Sequence, residues 1–214
     1  MKLPHAYQPI TGHRYQGPFV VLEGVSGIGK STLAGVLAGR LRATSIHTLT
    51  RPHTDWSAAV NARLRALPQF AFYLSGLLHT SDSVRQCRTI GPVIADRYVS
   101  SVLACHSAVH RVPVDDVAAL LVPYRGYLDT PDLTFYLRCS EQVLRRRMET
   151  KGKEQVLSPD DLALFGVDGR LDRLLRNFER VADEDPTAVV IDTDGKTPGT
   201  LADEVLAHVE ARRA

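Results

Sequence analysis

Pro18-Phe19-Val20-Val21-Leu22-Glu23 runs into Gly24-Val25-Ser26-Gly27-Ile28-Gly29-Lys30-Ser31 and on into Thr32-Leu33-Ala34-Gly35-Val36-Leu37-Ala38. The middle eight residues satisfy G-x-x-x-x-G-K-[ST], a loop whose amides surround phosphate oxygens. The apolar run before it reads as a strand and the pattern after it as a helix, which is the context the motif requires. Gly27 and Gly29 let the backbone curl until successive N–H groups point inward, and the start of the helix adds partial positive charge. Lys30 has the reach for the β- and γ-phosphates, and the Ser31 hydroxyl can complete a magnesium shell. The expected triphosphate site is therefore Gly24, Val25, Ser26, Gly27, Ile28, Gly29, Lys30, Ser31 and Thr32. This chain is expected to bind a nucleoside triphosphate.

Composition bounds the rest. A chain of 214 residues, 44% hydrophobic and 23% charged, has the makings of one globular core. We expect a single domain over 18–214, preceded by a loose extension over 1–17. A net charge of +2 is too small to argue for a nucleic acid polymer or a membrane surface as partner. Cys87, Cys105 and Cys139 are odd in number and lack C-x-x-C spacing, so neither a disulfide framework nor a zinc site is indicated. A reducing cytoplasm fits. Residues 1–17 hold no continuous apolar segment and read as neither signal peptide nor membrane span.

Strand and helix patterns then alternate, which predicts an α/β fold with three layers: a five-stranded parallel sheet flanked by helices. The later strands are expected at Ser45–Thr50, Pro92–Asp96, Leu133–Leu137 and Ala188–Ile191. Helices are expected at Asp55–Ala66 (capped by Thr54), from Pro68 towards Cys87, at Val99–Val109, Asp115–Leu121, Ser140–Glu149 and Thr200–Arg212. Leu201, Val205, Leu206 and Val209 share one face of the last. Between the last two helices, Lys151–Gly166 reads as a mobile segment, a short lid at about 150–166. Ligands of such sheets gather beyond the carboxyl ends of the strands, where Gly24, Arg51 and Asp96 would emerge.

A second constellation, Asp96-Arg97-Tyr98, closes the third strand. A carboxylate there can hold magnesium or orient an attacking group, and the adjacent arginine can clamp phosphate oxygens in a bidentate manner. A third is the basic stretch Arg138, Arg145, Arg146, Arg147, Lys151 and Lys153. It borders the lid, where cations can neutralise charge on closure.

In this order the motifs resemble the thymidylate kinases, within the wider group of nucleotide and deoxynucleoside kinases. Phe19–Gly24 leads into the loop as in that family. Thr50-Arg51-Pro52 resembles its Thr-Arg-Glu-Pro motif, and Asp96-Arg97-Tyr98 with Ser101 its Asp-Arg-Tyr box. Pro131–Leu137 is similar to its Pro-Asp-Leu-Thr strand, and Asp185-Pro186 with Val189–Asp192 to its last strand. The resemblance implies magnesium-ATP as donor, a nucleoside monophosphate as acceptor, a lid and a homodimer. It assigns Lys30, Asp96, Arg97 and the lid cations from Arg145 to Lys153, Arg147 among them, to catalysis. Ser31 and Asp96 would hold the metal, and Arg51, Tyr73, Arg97, Ser101 and His106 would line the acceptor pocket.

The departures cluster on the acceptor side. Ser26 stands where the family has an aspartate in the loop, Pro52 where it has the glutamate, and Cys105-His106 where it has Tyr-Gln. An ungapped comparison puts Leu77 at an arginine that the family directs to the acceptor, with His79 nearby. The leading expectation is a kinase for a thymidylate-like nucleoside monophosphate. The alternatives are a kinase for a nucleoside or other non-phosphorylated small molecule, and a nucleotide-binding protein without turnover.

Overall fold

The computed structural model describes residues 7–9 and 14–213. Most of the expected extension, residues 1–6 and 10–13, lies outside them. In chain order the elements are β1 (Phe19–Glu23), α1 (Lys30–Leu41), β2 (Thr44–His47), α2 (His53–Arg63), α3 (Ala66–Arg88), β3 (Val93–Asp96), α4 (Val99–His110) and α5 (Val114–Leu121). A 3-10 turn (Val122–Tyr127) leads to β4 (Leu133–Arg138), α6 (Glu141–Glu154), α7 (Pro159–Gly166), α8 (Arg170–Asp183), β5 (Ala188–Asp192) and α9 (Pro198–Arg213).

The five strands form one parallel sheet in the order β2-β3-β1-β4-β5. Apolar β1 takes the centre because it alone must pair on both edges with strands that are themselves buried: Val20 lies opposite Ile94 on one side and Leu133 on the other. Its side chains alternate between two cores, as a pleat of period two dictates. Val20 and Leu22 face one core with Leu33 and Leu37 of α1 and Val205 and Val209 of α9. Phe19 and Val21 face the other, with Phe70, Leu77 and Val84 of α3 and Val117 of α5. The expected apolar face of α9 packs as read: Leu201, Val205 and Val209 are buried, and Leu206 is half-buried against the same core.

Three expectations need correction. Thr54 does not cap α2, which begins one residue earlier, at His53, with Pro52 at the cap position. The Thr54 hydroxyl instead donates to the carbonyl of Leu49. The stretch read as a mobile segment is mostly helix: α6 continues to Glu154, and α7 starts at Pro159 under a capping box. In that box the Ser158 hydroxyl accepts from Asp161 N and the Asp161 carboxylate accepts from Ser158 N. The third is α8, missed between Gly166 and Ala188. Its Leu171, Leu174 and Phe178 are buried on one face against α4.

Candidate active site

β1, β3 and α1 converge where the chain leaves the sheet. Gly27 and Gly29 have φ of +82° and +105°, values that side chains resist. At Gly27 the reason is also spatial, because an added Cβ would lie 2.3 Å from Met148 Sδ of α6. At Gly29 an added Cβ would meet nothing within 4 Å, so the space beside that residue is open and its conformation, not crowding, favours glycine. Val25 and Ile28 turn inward and anchor the loop in the core.

Lys30, only 4% exposed, donates from Nζ to the Val25 carbonyl at 2.7 Å. Burial, and then the guanidinium of Arg97, push its ammonium down to about 7; Asp96 and Glu23 oppose the shift. Burial outweighs the two carboxylates, and a phosphate group beside Lys30 would add the further negative charge that such a buried cation favours. Asp96 is nearly buried and accepts from the Ser31 hydroxyl through Oδ2, while its Oδ1 is buried with no hydrogen-bond partner. A hydroxyl and an unsatisfied carboxylate oxygen suit a hard divalent cation. Among the described residues no group of three His, Cys, Asp or Glu could hold a metal alone. A magnesium ion held here would therefore draw further ligands from phosphate oxygens and water.

Arg97 adopts φ +73°, the left-handed region, directly after β3. That turn brings its Nη1 to the Gly24 carbonyl and the Ser101 hydroxyl, each at 3.1 Å. Beneath it lies Glu23, which the sequence reading left as the end of a strand. Glu23 is fully buried and accepts from Tyr98 N at 2.9 Å, Ser101 N at 3.1 Å and the Ser101 hydroxyl. Burial raises its carboxyl, against the lowering effect of Ser101 and Arg97. The signal was present in the sequence: a charged residue ends an otherwise apolar run.

A cavity of about 590 Å³ opens beside the loop, lined by Ser26, Arg97, Ser101, Tyr73 and His106 among others. Four expected acceptor residues thus meet. Tyr73 donates to Asn61 Oδ1 at 2.9 Å, and the same oxygen takes Gln69 Nε2 at 2.9 Å. Asn61 Nδ2 in turn donates to Asp160 of α7 at 3.1 Å. Burial, then the neighbouring His110, lower His106 to about 4, so it stands neutral at pH 7. The fifth expected residue, Arg51, stands outside. It precedes α2, its side chain is 87% exposed, and it pairs loosely with Asp55 at 3.6 Å. Leu77 is core, and His79 lies on His53 with ring centroids 5.9 Å apart.

The basic stretch divides. Arg147 is tied to the Ile28 carbonyl at 2.9 Å and to the hydroxyl and carbonyl of Thr193 at 2.8 and 2.9 Å. It clamps the outside of the loop to the turn after β5 and does not stand free as a lid cation. Arg145 pairs with Glu141 and lies over the Phe165 ring, 4.2 Å from its centroid. Lys151 is spent on Asp161, at 2.7 Å.

Asp161 itself was not expected at the site. It is 4% exposed and receives Lys151, the Ser26 hydroxyl of the phosphate loop at 2.5 Å, and its own helix cap. Burial pushes this carboxyl up, but the bonds from Lys151, Ser26 and Ser158 outweigh it and hold it at about 2. A depressed carboxyl contributes stability above its ordinary value of 3.8, lost as pH falls through the folded value. Asp161→Asn is therefore expected to lower the melting temperature at pH 7 by several degrees, corresponding to about 2 kcal/mol. The gap to wild type should narrow below about pH 4. Melts whose separation is the same at pH 7 and pH 3 would refute that linkage.

The comparisons agree with this geometry. The thymidylate kinase family model matches residues 22–196. A probable thymidylate kinase of Methanococcoides burtonii is 27% identical over 190 residues, covering 84% of this chain and 90% of that protein. Thymidylate kinase from Candida albicans superposes with a TM-score of 0.75 at 19% identity, covering 94% of each chain. The deoxyadenosine kinase of M. mycoides gives 0.63 at 18%, covering 90% of this chain and 99% of that one. These two structures speak for the fold, and the family match spans the loop, the Asp96-Arg97-Tyr98 turn and the α7 segment together. The chain belongs to the thymidylate kinase family, and it is a phosphotransferase of that family.

Proposed function

We propose that this protein transfers the γ-phosphoryl group of magnesium-ATP to a thymidylate-like nucleoside monophosphate. The observation that carries the reading is the juxtaposition of the phosphate loop, a buried Lys30 bonded within it and a cavity whose mouth holds Arg97. Such transfer demands position and neutralisation of charge more than covalent help. Lys30 and the loop amides hold the donor's terminal phosphates. Ser31 and Asp96 hold magnesium, which when bound neutralises charge on the phosphate oxygens. Arg97, kept in place by Gly24, Ser101 and the Glu23 carboxylate below, orients the attacking group. Helix α7 closes the cavity from above through Asp160 and Asp161, the part of the expected lid that touches the loop. Trp56, Leu64 and Leu67, exposed around the α2–α3 turn, give a second copy an apolar surface to cover, in keeping with a homodimer. A cytoplasmic setting accords with three unpaired cysteines.

One observation favours a second reading. With Arg51 in solvent, Arg97 is the guanidinium at the loop end of the cavity, and one positive charge only partly balances a dianionic acceptor, which favours a non-phosphorylated one. A single assay separates the two: ADP release from magnesium-ATP with dTMP, dUMP, dCMP and thymidine. We expect turnover of dTMP. Turnover of thymidine alone establishes the second reading, and no acceptor-dependent ADP with any of them removes both.

A further inference from the structure

The cavity has two ends. Arg97 and Ser101 mark the end at the phosphate loop; His106, Val109, Arg170 and Leu174 mark the other. Along α4 the rise is about 1.5 Å per residue, so Val109 lies about 12 Å beyond Ser101. An acceptor whose reactive oxygen meets the loop therefore presents its opposite end to the α8 wall.

The polar groups at that far end are mostly committed to one another. Gln69 gives its Nε2 to Asn61 and its Oε1 is shared with His110 Nε2. Asn61 Oδ1 is taken twice, and its Nδ2 donates to Asp160. His106 is packed between the rings of Phe70 and His110, with centroids at 5.5 and 4.5 Å. Arg170, the first residue of α8, differs. Its Nε is buried with no hydrogen-bond partner, and among the described residues its side chain makes no ion pair. Leaving a buried donor of a charged group unsatisfied is costly, so a ligand atom is the expected partner.

We infer that Arg170 reads a carbonyl oxygen on the far edge of the acceptor's base and so selects keto-bearing over amino-bearing pyrimidines. A guanidinium only donates. A ring carbonyl in line with it accepts; an exocyclic amino group there also donates, and leaves both groups unpaired. The transferring phosphate is excluded as its partner, because the reacting end lies at Arg97. Arg170 is thus a specificity-determining residue, and the inference rests on the nucleotide reading above.

The test compares kcat/KM for dTMP and dCMP in wild type and Arg170→Met, which keeps the length of the stem. Wild type should favour dTMP. In the variant, dTMP efficiency should fall about tenfold to a hundredfold, chiefly through KM, while dCMP changes by less than about threefold. A merely structural loss would lower both alike. An unchanged dTMP to dCMP ratio overturns the inference and leaves the kinase reading intact. Wild-type protein inactive on every monophosphate overturns the nucleotide reading, and the inference with it. A substrate-side measurement needs no variant. The 2-pyrimidinone analogue of dUMP, lacking the far carbonyl, should be used by wild type about tenfold less efficiently than dUMP. Equal use of the two refutes the assignment.

Discussion

Lys30→Ala should lower kcat by about a hundredfold to a thousandfold, the range for removing one positioned donor from a charge-developing site. The side chain is buried, bonded to Val25 in the same loop, and pushed down to about 7 by burial and Arg97. Those features show an ammonium kept in place at a cost, which an anionic ligand would relieve. Truncation removes both the charge and the contact that shapes the loop. Lys30→Met, which retains the stem, separates them: it should fall nearly as far if charge dominates. Steady-state rates with saturating acceptor, together with the KM for ATP, decide the matter. A Lys30→Ala enzyme keeping more than a tenth of the rate would contradict the assigned role.

Arg97 carries the second large effect. It sits between the loop and the cavity, and replacing it with alanine is expected to cost on the order of 10³ in kcat, as for other arginines that neutralise a transferring phosphoryl group. Its backbone permits a sharper test. At φ +73° any side chain with a Cβ is strained by about 1–2 kcal/mol, which glycine avoids. Arg97→Gly and Arg97→Ala should be equally poor enzymes, yet the glycine variant should melt at the higher temperature, by about 2–4 °C per kcal/mol recovered. Elsewhere in ordered structure, glycine destabilises relative to alanine. If the alanine variant melted higher, the backbone at this turn would not be strained, and its conformation would owe nothing to function.

The donor half of the site was legible because its chemistry is local. Gly24–Ser31 needs only its own sequence and the elements on each side, and Asp96-Arg97 follows directly on a strand. The acceptor half is assembled from α2, α3, α4, α7 and α8, whose mutual arrangement no short pattern encodes. Asn61 and Gln69 look like surface amides in the sequence, and only packing brings them to Tyr73 and Asp160. Arg51 was expected in the pocket by motif, but the start of α2 turns it to solvent. Helix α8 was missed although Leu171, Leu174, Leu175 and Phe178 have helical spacing; the charged residues between them gave the segment a strongly polar composition. Asp161 had a local signal too, in Ser158-Pro159-Asp160-Asp161, which reads as a capping box once a helix is admitted there. Its bond to Ser26 spans 135 residues and could not be read in advance.

The central position of β1 has a consequence for how the molecule is made. Its edges await Val93 and Leu133, so one edge stays open until about 70 residues beyond Glu23 have been translated, and the other until about 110 have. At ordinary elongation rates that delay is on the order of ten seconds. High contact order of this kind slows folding and leaves an apolar segment open to wrong partners. The competence to grip a nucleotide therefore arrives late in biogenesis, when the fourth strand docks, and nascent chains arrested before it should lack that competence altogether.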